Sequence, residues 1–367
     1  MSFLSGVCTR ASKLDARVAF GEAGDQRVLD AAVRLEKEGV ATPILVIDRA
    51  DEAGSAKARK SGLECVDPSN DPRAEALAAA LLQSREKHGM TAGEAAKLSH
   101  DPLAFATWLV KTGAADASVG GAVRTTRELM HFALWLIGPA KGIRTVSSAF
   151  YMCVPPFRTS LTADSSRLAS DNSRPTADSS RLASDGEVLT FTDCSVVPSP
   201  TAEQLADIAM AAAAARRQIV GDEPRIALLS YSTRGSGGDG GSIATVQAAV
   251  ALLKQRAPNL AVDGEMQADA ALIADVAARK APGSSVAGRA NVLVFPNLDA
   301  GNIAYKLTER LGHAKAIGPI LQGLAMPVSD LSRGADTDAI FHVAALTLLQ
   351  SARFQLAAFA AAGIRFQ

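Results

Sequence analysis

Three polar segments of the sequence carry residue types that bind phosphate and acyl groups. The first is SYSTRGSGG, which follows the apolar run Arg225–Ser230 and precedes a helix predicted to begin near Ile243. It offers the hydroxyls of Ser232 and Thr233, the guanidinium of Arg234 and the free backbone N–H groups of the helix start. Such a strand-to-helix turn favours an anion, which indicates a site for phosphate or an acyl phosphate.

The glycines of this segment leave two other interpretations open. Gly235, Gly237 and Gly240 match a dinucleotide-binding pattern, and Asp263 follows at about the distance that this pattern requires. The match is weak, because residues 231–234 separate the glycines from the strand and no lysine completes a P-loop. A plain flexible loop is the other alternative.

The second segment is KAPGSSVAGRANVLVFPNLDAGNIAYKLTERLG. It predicts a turn at Gly301–Asn302 after a buried strand, at the edge where open α/β sheets bind their ligands. Lys306 and Arg310 are spaced i to i+4 in the following helix, so we expect them on one face near the helix start. Two cations there could hold phosphate, and a solvated helix surface is the alternative.

The third segment, GPILQGLAMPVSDLSRGADTDAI, places Ser332 and Arg333 ahead of Asp336 and Asp338 at a predicted helix start. From spacing alone, a helix cap is the favoured interpretation of Ser332 or Asp330.

The elements that must position these segments follow an α/β pattern. Short β-branched runs alternate with longer alanine-rich segments of helical period, which predicts βαβ units and a parallel sheet. The predicted strands are 17–20, 43–47, 116–119, 145–150, 188–192, 225–230 and 292–295. The predicted helices are 25–38, 74–87, 125–137, 202–217, 242–255 and 336–361.

One segment interrupts this alternation. Residues 159–185 contain almost no large apolar side chain, and TADSSRLASD occurs twice, at 162–171 and 176–185. This composition cannot form a core element, so we predict a duplicated insert in a tolerant surface loop. A partner-binding or lid function is the alternative.

Composition narrows the classes of function. The 367 residues are 48% apolar and 21% charged, which predicts a folded soluble protein. Lysine plus arginine (38) equals aspartate plus glutamate (38), so no overall field attracts nucleic acid or an anionic membrane.

The cysteines and histidines are scattered without metal-ligand spacing, so we expect reduced thiols and no metal catalyst. No apolar run approaches the length of a bilayer span and no signal peptide is recognisable, which predicts a cytoplasmic protein.

Longer stretches of the sequence carry a family resemblance. The three segments together with DGEMQADAAL closely resemble the phosphate acetyltransferase (phosphotransacetylase) family, with phosphate butyryltransferases as near relatives. GAVRTTRELM, GIRTVSSAF and LTFTDCSVVPSPTAEQLADIA are similar to that family in order and spacing. The resemblance covers nearly the whole chain apart from residues 159–185.

The resemblance implies two α/β domains with a deep interdomain cleft, as in isocitrate and isopropylmalate dehydrogenases. The domains are expected to be discontinuous, one formed by residues 1–142 plus 319–367 and the other by 143–318. The implied reaction is reversible acyl transfer between acetyl-CoA and inorganic phosphate, which gives acetyl phosphate and coenzyme A. A homodimer is also implied, with small-molecule substrates, no metal and no tightly bound cofactor.

The resemblance further implies roles for individual residues. Ser332 and Arg333 would orient and stabilise the reacting acyl group, and Arg310 would hold phosphate through its bidentate guanidinium. Arg85 would meet a phosphate of coenzyme A. The SYSTRGS turn would line the acyl-phosphate pocket, and Asn302 is expected among the substrate-binding residues.

Two positions depart from the family pattern. The family's general base is an aspartate seven residues after the serine of the SRG motif; this position is Ala339, and Asp338 is the expected substitute if the helix begins one residue differently. One position turns a side chain by about 100 degrees around a helix, so a weakened or lost base is the alternative. His131 stands where the family has an arginine, and Arg127, one turn earlier, is expected to supply the charge.

The leading prediction is therefore an active phosphate acetyltransferase. A non-catalytic acyl-CoA-binding module is one alternative, because the changes at Ala339 and His131 resemble decay of an active site. Against it, Ser332, Arg333 and Arg310 are all retained. A phosphate butyryltransferase that prefers longer acyl chains is the other alternative.

Overall fold

The structure is a computed structural model that describes residues 2–158, 186–238 and 240–351. The predicted insert at 159–185 and residues 352–361 of the helix predicted over 336–361 lie outside the described residues. Within the described residues this helix ends at Leu348, earlier than predicted. Within these ranges the chain forms two compact units. The first unit contains residues up to 3 and 150–316, and the second contains 4–149 and those from 317 onward.

Strands and helices alternate along much of the described chain. The strands are β1 Arg17–Phe20, β2 Thr42–Val46, β3 Glu64–Val66, β4 Ala117–Gly120, β5 Ser147–Val154, β6 Glu187–Thr192, β7 Arg225–Leu229, β8 Ala261–Met266, β9 Val292–Val294, β10 Lys315–Gln322 and β11 Val328–Asp330. The helices are α1 Phe3–Ala11, α2 Gln26–Lys37, α3 Glu52–Lys60, α4 Arg73–Arg85, α5 Ala92–Leu98, α6 Pro102–Lys111, α7 Thr126–Phe132, α8 Ala202–Ile219, α9 Ile243–Arg256, α10 Ala268–Leu272, α11 Ala274–Lys280, α12 Leu298–Leu311 and α13 Thr337–Leu348.

Each unit is built on a largely parallel sheet. The second unit has the strand order β11-β4-β1-β2-β3, and each pair of neighbouring strands in it is parallel. In the other sheet, β6, β9, β7 and β8 are parallel neighbours, and the order continues from β6 to β5 and β10. Val18, Ala19 and Phe20 of β1 are fully buried, as expected for a central parallel strand covered on both faces. The predicted α/β class is confirmed.

Most predicted elements are present with small shifts of their bounds. The helix predicted over 125–137 is α7 followed by a π-helical turn at Ala133–Ile137. The sequence did not predict β3, β8, β10 or β11. Strands β3 and β11 have three residues each, which is too short for a periodic pattern to appear. Among the described helices, none combines the length and the apolar character that a membrane crossing requires.

The start of α13 corrects one prediction. Asp336 caps this helix by accepting the backbone N–H of Ala339. The interpretation of Ser332 or Asp330 as the cap is wrong, because Asp330 ends β11 and the turn of Ser332 separates this strand from the helix. Asp336 takes the role since its short side chain stands directly before the unpaired N–H groups of the first turn.

The start of α12 corrects another prediction. Gly301–Asn302 does not form a turn, because α12 begins at Leu298 with Asn297 as its cap. Gly301 lies inside the helix, where a Cβ would be 2.2 Å from the carbonyl oxygen of Asp193. The glycine is therefore required by a close approach of the helix to the loop after β6.

Candidate active site

The turn after β11 presents Ser332 and Arg333 at the carboxyl end of the parallel sheet in the second unit. Both residues are exposed, whereas Leu331 before them is buried. Arg27, in the first turn of α2, donates from Nη1 to the carbonyl oxygens of Arg333 at 2.9 Å and Ala335 at 2.8 Å. The turn is therefore fixed through its backbone, and its hydroxyl and guanidinium remain exposed.

The loop after β4 is fixed in a similar manner. Glu22 follows β1 and is buried, and its carboxylate accepts the backbone N–H groups of residues 122–124 at 2.7–3.0 Å. Arg27 donates from Nη2 to the carbonyl oxygen of Ala122 at 3.0 Å. One guanidinium thus joins the loop after β4 to the turn after β11. These contacts form because β1, β4 and β11 are neighbours whose carboxyl ends share one sheet edge.

Arg124 in this loop is engaged by carboxylates of its own unit. Its guanidinium pairs with Glu128 at 2.8 Å and with Asp101 at 3.1 Å. Thr125 and Glu128 also form a reciprocal capping box at the start of α7. Hydrogen bonds from Arg124 and the N–H of Thr125 lower the pKa of Glu128 to about 2. Arg124 therefore holds the start of α7 in place.

Arg127 and His131 lie one turn apart on α7 and are exposed. Arg127 makes no ion pair or hydrogen bond with any described residue. The ring of His131 stacks on Trp135 with centroids 5.0 Å apart, and the guanidinium of Arg85 lies 5.1 Å from the centroid of a Trp135 ring. Arg85 and His131, far apart in sequence, thus contact the same aromatic side chain.

A cavity of about 430 Å³ lies beside Arg85. His88, Lys97 and Trp135 contribute to its lining, together with Glu94. Glu94 forms a reciprocal capping box with Thr91, the residue before α5, so its carboxylate is already hydrogen-bonded. Two cations beside a flat indole suit a ligand that combines phosphate with an aromatic ring.

Asp338 lies in the first turn of α13, and its Oδ1 accepts a hydrogen bond from Nη1 of Arg34 at 2.9 Å. Arg34 belongs to α2, pairs with Glu38 at 2.7 Å and lies over the ring of Phe341 at 3.9 Å. One oxygen of the Asp338 carboxylate is therefore directed toward α2. Ala339, next to it, is half-buried.

In the first unit, the SYSTRGS turn is held by its own side chains. Ser232 is fully buried, donates its hydroxyl to Oε1 of Glu265 at 2.9 Å and accepts the N–H of Gly237 at 2.9 Å. Glu265 also accepts from the amide of Gln247 at 3.0 Å. Burial raises the pKa of Glu265, but the hydrogen bonds from the turn and from Gln247 outweigh it and lower the pKa. The hydroxyl of Ser232 is therefore engaged inside the protein.

Thr233 and Arg234 are engaged in the same turn. Thr233 is 4% exposed, and its hydroxyl oxygen accepts the N–H of Gln267 at 2.9 Å. Arg234 has a left-handed backbone with φ of 49° and donates from Nη1 to the carbonyl oxygen of Pro282 at 2.8 Å. Its Nη2 lies 3.6 Å from the carboxylate of Asp263.

Arg310 and Asn302 lie at different ends of α12. Arg310 is the penultimate residue, and its side chain is 80% exposed. The predicted position of Lys306 and Arg310 near the helix start is wrong, because α12 begins at Leu298 and both cations follow in its second half. Asn302 donates from Nδ2 to the carbonyl oxygen of Cys194 at 3.1 Å and so holds the loop after β6.

Sequence reasoning missed Glu22, Arg27, Thr126 and Asp330, which fix the loops of the second unit. Glu22 and Arg27 follow a correctly predicted strand, so the convergence of parallel strand ends could have identified them. Asp330 gave no such signal, because the three-residue β11 was not predicted. Within the described ranges, no group of three or more histidine, cysteine, aspartate or glutamate side chains could hold a metal ion.

Comparison with known proteins assigns the family. Residues 2–348 match the family described as phosphate acetyl/butaryl transferase. The phosphate acetyltransferase of Clostridium acetobutylicum is 39% identical over 358 residues, covering 96% of this chain and 99% of that protein. The phosphate acetyltransferase of Paracoccus denitrificans is 40% identical over 355 residues, covering 96% and 100%.

A solved structure agrees with these matches. A phosphotransacetylase from Streptococcus pyogenes has a TM-score of 0.79 and 34% identity, covering 95% of this chain and 97% of that one. With a family match over nearly all of the chain and relatives close to 40% identical, the chain belongs to the phosphate acetyl/butaryl transferase family.

Proposed function

We propose that Ser332 and Arg333 carry out an acetyl transfer in this chain, and that Arg310, Arg127 and Arg85 bind the anionic substrates. The reaction is that of a phosphate acetyltransferase, which moves an acetyl group reversibly between coenzyme A and inorganic phosphate. One observation carries the assignment: the backbone of the turn after β11 is held by Arg27, while its hydroxyl and guanidinium stay exposed.

The chemistry requires donors at the reacting carbonyl group. The thiol of coenzyme A attacks the carbonyl carbon of acetyl phosphate, a tetrahedral oxyanion forms, and phosphate leaves. A preorganised donor aimed at such an oxyanion lowers the activation free energy by about 3–4 kcal/mol. Ser332 and Arg333 supply an O–H and several N–H donors for this purpose. The bidentate guanidinium of Arg310 suits the leaving phosphate.

The attacking thiol also needs a base, because its pKa of about 8.5 leaves it mostly protonated at neutral pH. We assign this role to Asp338. The ion pair with Arg34 directs Oδ1 of this carboxylate toward α2. Turnover of Asp338→Asn tests the role directly.

For coenzyme A we propose the cavity beside Arg85. Arg85 and Lys97 would bind its phosphates, and Trp135 would contact the adenine ring. Arg127 would supply the positive charge that the family carries at the position of His131. Lys97→Ala should raise the KM for coenzyme A and leave the KM for acetyl phosphate unchanged. An equal rise of both KM values would contradict this site.

The SYSTRGS turn of the first unit stays a predicted lining of the acyl-phosphate pocket. Because the hydroxyls of Ser232 and Thr233 are engaged inside the protein, we propose that the turn acts through its backbone and through Arg234. Asn302 supports this region by holding the loop after β6.

The deciding experiment follows the ultraviolet absorbance of the thioester that forms from acetyl phosphate and coenzyme A. We expect turnover in the wild-type protein and its loss in Arg310→Ala at an unchanged melting temperature. Lys306→Ala, on the same helix, is the matched control. Binding of acetyl-CoA without turnover would favour the non-catalytic module. A higher kcat/KM with butyryl phosphate than with acetyl phosphate would favour a butyryltransferase.

A homodimer is a further part of the proposal. Ile303, Leu307 and Leu311 are spaced four residues apart on α12 and are 57%, 52% and 74% exposed. An exposed apolar stripe of this kind is typical of a surface that a second copy covers. Leu307→Glu should halve the mass measured by light scattering, and a wild-type monomer would contradict the proposal.

The other expectations, from the resemblance and from the hydropathy of the sequence, stay predictions. They are the domain bounds at 142/143 and 318/319, the interdomain cleft, the relationship to isocitrate and isopropylmalate dehydrogenases, the cytoplasmic location and the absence of a tightly bound cofactor.

A further inference from the structure

Asp330 is a buried carboxylate at the edge of the parallel sheet. It ends β11, two residues before Ser332, and is 1% exposed. Gly121 makes room for it, since a Cβ at this glycine would lie 2.2 Å from Oδ1 of Asp330. The glycine also has a φ of +98°, which other residues rarely adopt. The loop after β4 is thus shaped around this carboxylate.

The carboxylate is bonded to the helix that carries the exposed arginine. The hydroxyl of Thr126 donates to Oδ2 of Asp330 at 2.5 Å. Thr126 is the first residue of α7, directly before Arg127. Oδ1 has no hydrogen bond of normal geometry with a described residue. The bond from Thr126 therefore links the end of β11 to the first turn of α7.

We propose that Asp330 is a positioning residue for the acyl transfer, which holds the first turn of α7, through Thr126, beside the turn after β11. Arg27 and Glu22 already fix the backbones of the two loops. The Asp330–Thr126 bond adds a side-chain link. Because Thr126 directly precedes Arg127, this link fixes the position from which the side chain of Arg127 extends. The inference rests on the proposed function, because its first measurement is the KM for phosphate in the acetyl-transfer reaction.

The charge of this link changes near neutral pH. Burial raises the pKa of Asp330 to about 7. The hydroxyl of Thr126 and the backbone N–H of Leu331 oppose the rise, and the negative charge of Glu22 adds to it. An ionised carboxylate accepts a stronger hydrogen bond from Thr126 than a neutral acid does. We therefore expect the KM for phosphate to fall as the pH rises through about 7.

Other charged groups lie on the elements of this sheet edge. They are Glu22 after β1, Arg27 and Arg34 on α2, Asp101 before α6, Arg124, Arg127, Glu128 and His131 in or before α7, and Arg333, Asp336, Asp338 and His342 after β11 or on α13.

Two variants test the link. Thr126→Val removes the hydroxyl and keeps the shape of the side chain, and Asp330→Asn removes the charge. In both, we expect the KM for phosphate to rise about threefold to tenfold, with kcat changed less than about twofold, as the loss of one hydrogen bond allows. The part of the pH step near 7 that exceeds the titration of phosphate itself should disappear from both profiles. Thr126→Ser, which keeps the hydroxyl, should restore the wild-type values.

Ser329→Ala is the matched control, because Ser329 is a buried neighbour of Asp330 in β11 whose hydroxyl has no partner among the described residues. Wild-type turnover together with variants that match Ser329→Ala in KM and in pH profile would overturn the inference. Failure of Thr126→Ser to restore KM would also overturn it. Failure of the proposed function has a different signature, the absence of turnover in the wild-type protein.

A second measurement does not depend on turnover. The folded pKa of Asp330 lies above that of an exposed aspartate, so the folded state binds more protons at intermediate pH and its stability falls as the pH rises toward about 7. Asp330→Asn should flatten this fall in melting temperature between about pH 4 and pH 7. An equal fall in wild type and variant would overturn the assigned charge change.

Discussion

Two turns with similar sequences follow parallel strands, SYSTRGS after β7 in the first unit and DLSRG after β11 in the second. In the second unit, Arg27 reaches the turn from a neighbouring element and binds its carbonyl groups, so Ser332 stays exposed. In the first unit, Ser232 is itself the anchor, since its buried hydroxyl joins Glu265 to the turn. The same residue types are therefore left exposed or engaged in the fold, according to which groups satisfy the turn's backbone.

The largest expected effect is a difference in kcat between substitutions of Arg333 and Arg234, the arginines of the two turns. Arg333→Ala should lower kcat about 100-fold to 1000-fold, because it removes an exposed donor to the oxyanion. Arg234→Ala should lower kcat less than about tenfold, because the guanidinium of Arg234 is already bonded to Pro282. The thioester assay at saturating substrate measures both, with the melting temperature as a check on folding. Equal losses would contradict the difference between the turns.

The next effect concerns the base. Asp338→Asn should lower kcat about 100-fold, within the usual range for general bases. Adding Ala339→Asp to this variant should restore part of the loss, because it returns a carboxylate to the family's position. Glu38→Gln, which also removes a partner of Arg34, is the matched control and should leave kcat unchanged. Wild-type kcat in Asp338→Asn would exclude this residue as the base.

The next prediction compares Ser232 and Ser332, the serines of the two turns. We expect one substitution to affect mainly stability and the other mainly kcat. Ser232→Ala should destabilise the protein by about 1–3 kcal/mol, because it leaves Glu265 and the N–H of Gly237 with unsatisfied hydrogen bonds. Its kcat should change less than about twofold, since the hydroxyl is already bonded to Glu265 and Gly237 inside the protein. Ser332→Ala should show the reverse, a large loss of kcat with a change of unfolding free energy below about 0.5 kcal/mol. Urea denaturation measures the unfolding free energy of both variants, and the thioester assay measures their kcat. Similar changes of both quantities in the two variants would contradict the difference between the turns.

The sequence predicted what local patterns encode. Helices such as α2, α8 and α9 and strands such as β1 followed from periodicity, and the motif predicts Ser332 and Arg333 as site residues. The partners of these residues could not be predicted, because they depend on the strand order. Arg27 meets the carbonyl of Arg333 only because β1, β4 and β11 are neighbours in the sheet. The direction of Asp338 is likewise set by Arg34 on another helix.

The smallest expected effect tests whether the position of Asp338 is also set locally. Asp336 caps α13 and so holds the first turn, which contains Asp338. Asp336→Ala should destabilise the protein by about 1 kcal/mol, whereas Asp336→Ser should keep the cap and most of the stability. The urea midpoint measures both changes. If the cap positions the base, kcat falls a few-fold in Asp336→Ala and recovers in Asp336→Ser. If kcat is the same in both, the cap does not position the base. Contacts such as the ion pair with Arg34 on α2 then do so, and the DLSRG turn resembles the SYSTRGS turn in relying on partners distant in sequence.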